Sequence, residues 1–138
     1  MMDHNAHTSL TFTRDERLKS KKKIEELFKY GSFFRVPPLQ VKYLACPSCS
    51  YHQVLIAVPK KFHKKAVVRN LLKRRIREAY RINKPSLFEG GQTYHLIAIM
   101  YLSKEILPFS EIEKKLIKLL KRLPVDSSLP NHEASHES

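Results

Sequence analysis

Tryptophan is absent from this chain, glycine occurs three times and cysteine twice, and 13 acidic residues stand against 26 lysines and arginines in 138. Each shortage excludes something. No apolar run approaches the roughly 20 residues a membrane span needs, and no tryptophan is available to seat the chain at a lipid interface. The only cysteines, in Cys46-Pro47-Ser48-Cys49, cannot complete a four-ligand zinc site. No second CxxC exists to help them, and His52 and His63 are the candidates for further ligands. Metal ligation is therefore not expected, and the segment reads as a loop with two reduced thiols. The scarce acids are also badly placed for chemistry: Asp15 and Glu16 are neighbours, as are Glu25 and Glu26, and the rest are scattered. Two-metal catalysis needs spaced carboxylates and acid–base catalysis a histidine pair. His95, inside a strand pattern, supplies neither, so no catalytic residue is expected. The first seven residues lack the charged-then-apolar pattern of a secretory signal, which points to the cytoplasm.

Positive charge is what the chain has in excess. A net charge of +13 and a pI near 9.9 favour an anionic partner. The excess concentrates between Lys60 and Arg81. Wound at about 100° per residue, Val68, Leu71, Leu72, Ala79 and Ile82 fall on one side. Arg69, Asn70, Lys73, Arg74, Arg77 and Arg81 fall on the other, and Lys60, Lys61, Lys64 and Lys65 precede them. Arg75 lies within the apolar arc and is expected to bury its stem and carry its head out to water. A solvated face ordinarily alternates cations with acids to gain i,i+4 pairs, yet Glu78 is the only acid here. Like charges at helical spacing repel unless a polyanion neutralises them. The guanidinium forks of the arginines suit phosphate.

The remaining chain reads as one domain, residues 10–124, with disordered tails at 1–9 and 125–138. Ser20 caps a helix over Lys21–Lys29 that Tyr30-Gly31 closes, with Ile24, Leu27 and Phe28 on its apolar face. Residues 33–38 are irregular, since Pro37-Pro38 forbids helix. Strands over 39–45 and 51–58 form an antiparallel hairpin. The basic helix then runs to about Asn83, where Lys84-Pro85 stops it. A turn at Gly90-Gly91 leads to a strand over 93–102. Ser110 caps a last helix with Ile112, Leu116, Leu119, Leu120 and Leu123 inward. The expected class is α+β, in the order α-β-β-α-β-α. Composition alone would suit a ribosomal or general structured-RNA-binding protein. A helix-turn-helix DNA binder is disfavoured, because strand precedes the basic helix where a partner helix is needed.

Val58-Pro59-Lys60-Lys61, Lys65-Ala66-Val67-Val68-Arg69-Asn70, Lys73-Arg74 and Ile76-Arg77-Glu78-Ala79-Tyr80-Arg81 closely resemble the signature of the bacterial ribonuclease P protein subunit. Leu18-Lys19, Ile24, Leu27-Phe28-Lys29 and Gly31 resemble the same family's amino-terminal portion. One departure is Leu71, where the family carries arginine; Arg75 stands one turn further on, where leucine is common. The resemblance implies a two-layer sandwich like that of a ribosomal protein domain, with a small open sheet and a left-handed β-α-β crossover. It implies that a partner RNA is the catalyst, holding Mg²⁺, and that the protein assists endonucleolytic removal of the 5′ leader of precursor tRNA without needing a protein partner. Carried over by position, Lys60, Lys61, Lys64, Lys65, Arg69, Asn70, Lys73, Arg74, Arg77 and Arg81 would face RNA. Phe12, Ile24, Phe28 and Tyr43 would line a cleft for the single-stranded leader, with core packing as the competing role for the rings.

Overall fold

Four strands and three helices make up the computed structural model, which describes residues 16–87 and 94–123. In chain order they are α1 (Lys21–Tyr30), β1 (Ser32–Val36), β2 (Leu39–Ala45), β3 (Gln53–Ala57), α2 (Ala66–Leu87), β4 (His95–Tyr101) and α3 (Phe109–Leu120). The expected tails, Phe12 and the Gly90-Gly91 turn lie outside the described residues. The sheet runs β1-β2-β4-β3, with β1–β2 and β2–β4 antiparallel and β3–β4 parallel.

Burial explains that order. In β4, His95 to Ile99 are all buried, whereas β3 is half-exposed at most positions. A strand hidden on both faces belongs in the middle of a sheet. Residues 39–45 and 51–58 are therefore not a hairpin, as their adjacency in sequence suggested, because β4 inserts between them. The outer edge of β3 is partly covered: Arg17 bridges to Val54, and the Leu18 amide donates to the Val54 carbonyl at 2.9 Å. Such cover blunts an edge that would otherwise offer unpaired backbone groups.

Residues 33–38 were expected to be irregular, but Ser32–Val36 is a strand that pairs with β2 around Pro37-Pro38. The prolines fall in the turn between strands, where their missing donors cost no ladder bond. Side chains then alternate. Phe34, Val41, Tyr43, Val54, Ile97, Ile99 and Tyr101 point to one face and pack with Leu72, Ile76, Ala79 and Tyr80 of α2 and Ile112, Leu116, Leu119 and Leu120 of α3. Leu44, Leu55, Leu96 and Ala98 point to the other face, where Leu18, Ile24 and Leu27 cover them. Thus α2 and α3 form the main layer against the sheet, and α1 covers part of its far side.

Two of the helices depart from expectation in detail. Ile82 lies 43% exposed, and Ile76 and Tyr80 take the core positions instead. The α2 helix also continues through Lys84-Pro85. Proline removes one amide donor, but the neighbouring turns are held from outside. Asn83 Nδ2 donates to the Ala79 carbonyl and to Glu113 Oε2, each at 2.8 Å, and Lys84 pairs with Glu16 at 2.8 Å. In α3 the inward residues are the expected ones, but Pro108 rather than Ser110 occupies the N-cap, with no side-chain cap bond. Ser20 does cap α1, accepting from the Lys23 amide at 3.3 Å. Gly31 closes that helix because a Cβ there would meet the Leu27 and Tyr43 carbonyl oxygens at 2.5 and 2.8 Å.

The cysteines are not the reduced pair expected. The turn after β2 brings their Cα atoms to 5.4 Å, within bridging range, and Cys46 and Cys49 form a disulfide.

Candidate nucleic-acid interface

Side chains of the basic helix do three different things. Asn70 and Arg74 are exposed, as are Lys60, Lys61, Lys64 and Lys65 in the segment before the helix. These are open to a polyanion. Lys73 and Arg77, one turn apart, lean toward the β3 edge and meet Arg17 and Lys19 across it. Together with Leu18, Val54, Leu55 and Ile56 they line a pocket of about 240 Å³, with four cationic residues and, among the described residues, no carboxylate in its lining. Grouped cations of this kind favour phosphate.

Other cations of the helix are engaged within the fold. Arg69 Nη1 donates to the His63 carbonyl at 3.1 Å and to the Lys64 carbonyl at 2.8 Å. His63 Nε2 lies 2.7 Å from the Ser103 carbonyl oxygen. These contacts set the course of the basic loop before the helix. Arg81 pairs with Glu78 one turn back, and that hydrogen bond holds the Glu78 carboxyl below the usual range. Arg75, expected to reach solvent, instead donates from Nη1 to the Leu107 carbonyl at 2.6 Å, tying α2 to the loop before α3. Leu71, its counterpart in the exchange with the family pattern, is half-buried.

A second surface lies on the sheet face that α1 leaves uncovered. Phe28 stands 41% exposed on α1. Across from it, Phe33 and Arg35 of β1 point to the same face as Gln40 and Lys42 of β2, since Phe33 pairs with Lys42 and Arg35 with Gln40. The Lys42 ammonium lies 5.5 Å from the Phe28 ring centroid and 5.7 Å from that of Phe33. Arg35 lies 5.9 Å from the Phe33 centroid and donates to Gln40 Oε1 at 3.1 Å. Rings and cations thus interleave along a shallow strip. Ile24, half-buried, packs on the second core cluster.

Tyr43 does not belong to this strip. It points to the opposite face, 2% exposed, stacked on Phe34 at 5.2 Å, and burial raises its phenol above the ordinary range. Expected in the leader cleft, it is put in the core by strand register. Phe33, Arg35 and Lys42 were missed because their hairpin was not recognised. The alternation of Ser32, Phe34 and Val36 with Phe33 and Arg35 was the available signal. Arg17 and Lys19 carried no such pattern. Only the chain's course along β3 brings them to α2.

Among the described residues, no three His, Cys, Asp or Glu side chains come together as a metal site, and no helix is long and apolar enough to cross a membrane.

Known proteins with related sequences and folds agree on one family. The ribonuclease P family profile matches residues 12–124. The ribonuclease P protein component of Porphyromonas gingivalis is 37% identical over 116 residues, covering 80% of this chain and 85% of that protein. The one from Petrotoga mobilis is 34% identical over 115 residues, covering 82% and 95%. The solved RNase P protein of Thermotoga maritima superposes with a TM-score of 0.67 at 30% identity, over 79% of this chain and 98% of that one. The chain therefore belongs to the ribonuclease P protein family, the protein components of a tRNA-processing endoribonuclease.

Proposed function

We propose that the two surfaces divide the work on RNA. The α2 cations and the Lys60–Lys65 segment engage the ribonuclease P RNA, and the strip beside α1 holds the 5′ leader of precursor tRNA. One observation carries the leader assignment: Phe28 and Phe33 offer rings on an uncovered sheet face with Lys42 between them. Single strands bind where cations follow phosphates and rings accept bases, largely without regard to sequence. The pocket among Arg17, Lys19, Lys73 and Arg77 has the charge to take a phosphate of the catalytic RNA.

The catalytic Mg²⁺ belongs, on this reading, to the RNA. Among the described residues no three His, Cys, Asp or Glu side chains come together, and three of the acids are engaged elsewhere: Glu78 is tied to Arg81, Glu16 to Lys84, and Glu113 accepts from Asn83. The protein's part is to bind, orient and neutralise charge.

The test is Phe28→Ala and Phe33→Ala in the reconstituted holoenzyme. Each should cost roughly 1–3 kcal/mol in precursor binding and leave binding of mature tRNA, which has no leader, nearly unchanged. Equal losses for both ligands, together with a lowered melting temperature, would assign the rings to packing instead.

A further inference from the structure

The Cys46–Cys49 bridge takes no part in either RNA surface, yet it sits under the helix that carries Phe28. Cys46 is buried with Leu18, Leu27, Leu96 and Ala98, while Cys49 packs at the margin of the same cluster, half-exposed. The Cys46 amide donates to the Tyr94 carbonyl at 2.8 Å, fixing this end of the turn to the strand entering the sheet. The other end touches α1, since Lys23 Nζ lies 4.0 Å from Cys49 Sγ. A bridge of three-residue separation therefore joins a core position to a position facing α1.

We propose that Cys46–Cys49 is a thiol–disulfide exchange site whose state sets how firmly α1 is held on the sheet. The reacting partner is a dithiol, of a small molecule or a reductase. Its thiolate attacks Cys49 Sγ, the accessible sulfur, forming a mixed disulfide there. The Cys46–Cys49 bond breaks, and Cys46 leaves as a thiolate that takes up a proton. The partner's second thiol then displaces Cys49 as a thiol, and the partner departs as its disulfide, two electrons having passed to the protein. Reoxidation is the reverse, with a disulfide of the same class as oxidant. Two neighbours suit these steps. The Lys23 ammonium attracts the incoming anion and stabilises negative charge at Cys49. The Ser48 hydroxyl, 3.8 Å from Cys46 Sγ, can donate to the departing sulfur. In a chain expected in a reducing compartment, a bridge is usually transient or redox-sensing rather than structural.

Opening the bridge frees the turn from the core and removes the constraint beneath Lys23, so the amides of residues 21–30 lose protection. Because α1 carries Phe28, the leader surface would loosen with it, a step that rests on the function proposed above.

The experiment equilibrates the full-length protein in reduced and oxidised dithiothreitol at a series of ratios. Alkylation and mass measurement give the bridged fraction, and hydrogen exchange gives the protection of residues 21–30. The expected result is a reversible two-thiol transition with α1 amides exchanging roughly threefold or more faster in the reduced form. Lys23→Gln should slow bridge opening by a similar factor while leaving the fold intact. The Cys46→Ser/Cys49→Ser chain should match the reduced form at every ratio; should it fail to fold, the reduced wild-type chain provides the same comparison. Absence of a bridge in the folded chain at oxidising ratios, or identical α1 exchange in both forms, overturns the proposal. A redox effect on α1 with no change in precursor affinity would leave the exchange site standing and remove the leader surface from α1.

Discussion

A half-buried histidine stacked on a buried one shows how single side chains make this fold sensitive to pH. His52 accepts at Nδ1 from the His95 amide at 3.1 Å and stacks on the His95 ring at 5.8 Å. Protonating Nδ1 would remove the acceptor. Burial first, then the charges of His95 and Lys84, lowers the His52 pKa from 6.5 to about 4. The unfolded chain therefore binds a proton that the native chain refuses between those values. The contribution of His52 is fully present above pH 6.5 and is lost as pH falls toward 4. Denaturant melts across that window should show a decline on the order of 1–3 kcal/mol. The decline should flatten in a His52→Gln chain, whose amide oxygen can still accept; an identical pH slope in that variant would exclude His52 as the source.

Among elements, α2 is the one whose charges can be sorted by what they touch. Lys73 and Arg77 face the cationic pocket, Arg69 holds loop carbonyls, and Arg81 is paired with Glu78. Replacing Lys73 and Arg77 together by alanine should flatten the slope of log K against log salt for RNA assembly by about 1.5, at roughly 0.7–0.9 per lost phosphate contact. Arg81→Ala should change it less, because Glu78 already offsets that charge. Arg69→Ala should weaken binding by a different route, through disorder of the Lys60–Lys65 loop seen as faster amide exchange there. Equal slopes for all three variants would mean that the helix acts as a diffuse charge, without the division its contacts describe. This division was invisible to periodicity, which places Arg69, Lys73, Arg77 and Arg81 on one face and says nothing of carbonyls brought up by a distant loop.

For the molecule as a whole, residues that pack by regular period were legible and those placed by pairing were not. The inward side of α3, the cap of α1 and the extents of β2 and β4 follow from local chemistry. Strand order did not, because it depends on β4 being hidden on both faces, which no property of β2 or β3 reveals. Pro37-Pro38 masked β1 and with it Phe33, Arg35 and Lys42 as one surface. Arg75 stood out within the apolar arc, but its partner, the Leu107 carbonyl, follows only from the packing of α2 against the loop before α3. The scarcity of acids bears on the complete assembly. Protein freed of RNA should leave precursor tRNA uncleaved with Mg²⁺ present, and adding the ribonuclease P RNA should restore cleavage at the mature 5′ end. Correct cleavage by the RNA-free chain would place the catalyst on the protein.

The central place of β4 has a consequence for the order of events at the ribosome. Residues 17–87 emerge first, carrying three strands and most of the cationic side chains, but β2 and β3 have no partner in common until residues 95–101 arrive between them. Until then β3 is unpaired on its inner edge, and Leu72, Ile76 and Tyr80 have no completed sheet to cover. Non-local pairing of this kind delays folding until late in synthesis. A nascent chain stalled before Tyr94 clears the exit tunnel should thus remain protease-sensitive throughout, and one released beyond Leu123 should become resistant in a single step. During that interval the basic segment is presented unfolded to the most abundant polyanion in its surroundings, the ribosome's own RNA.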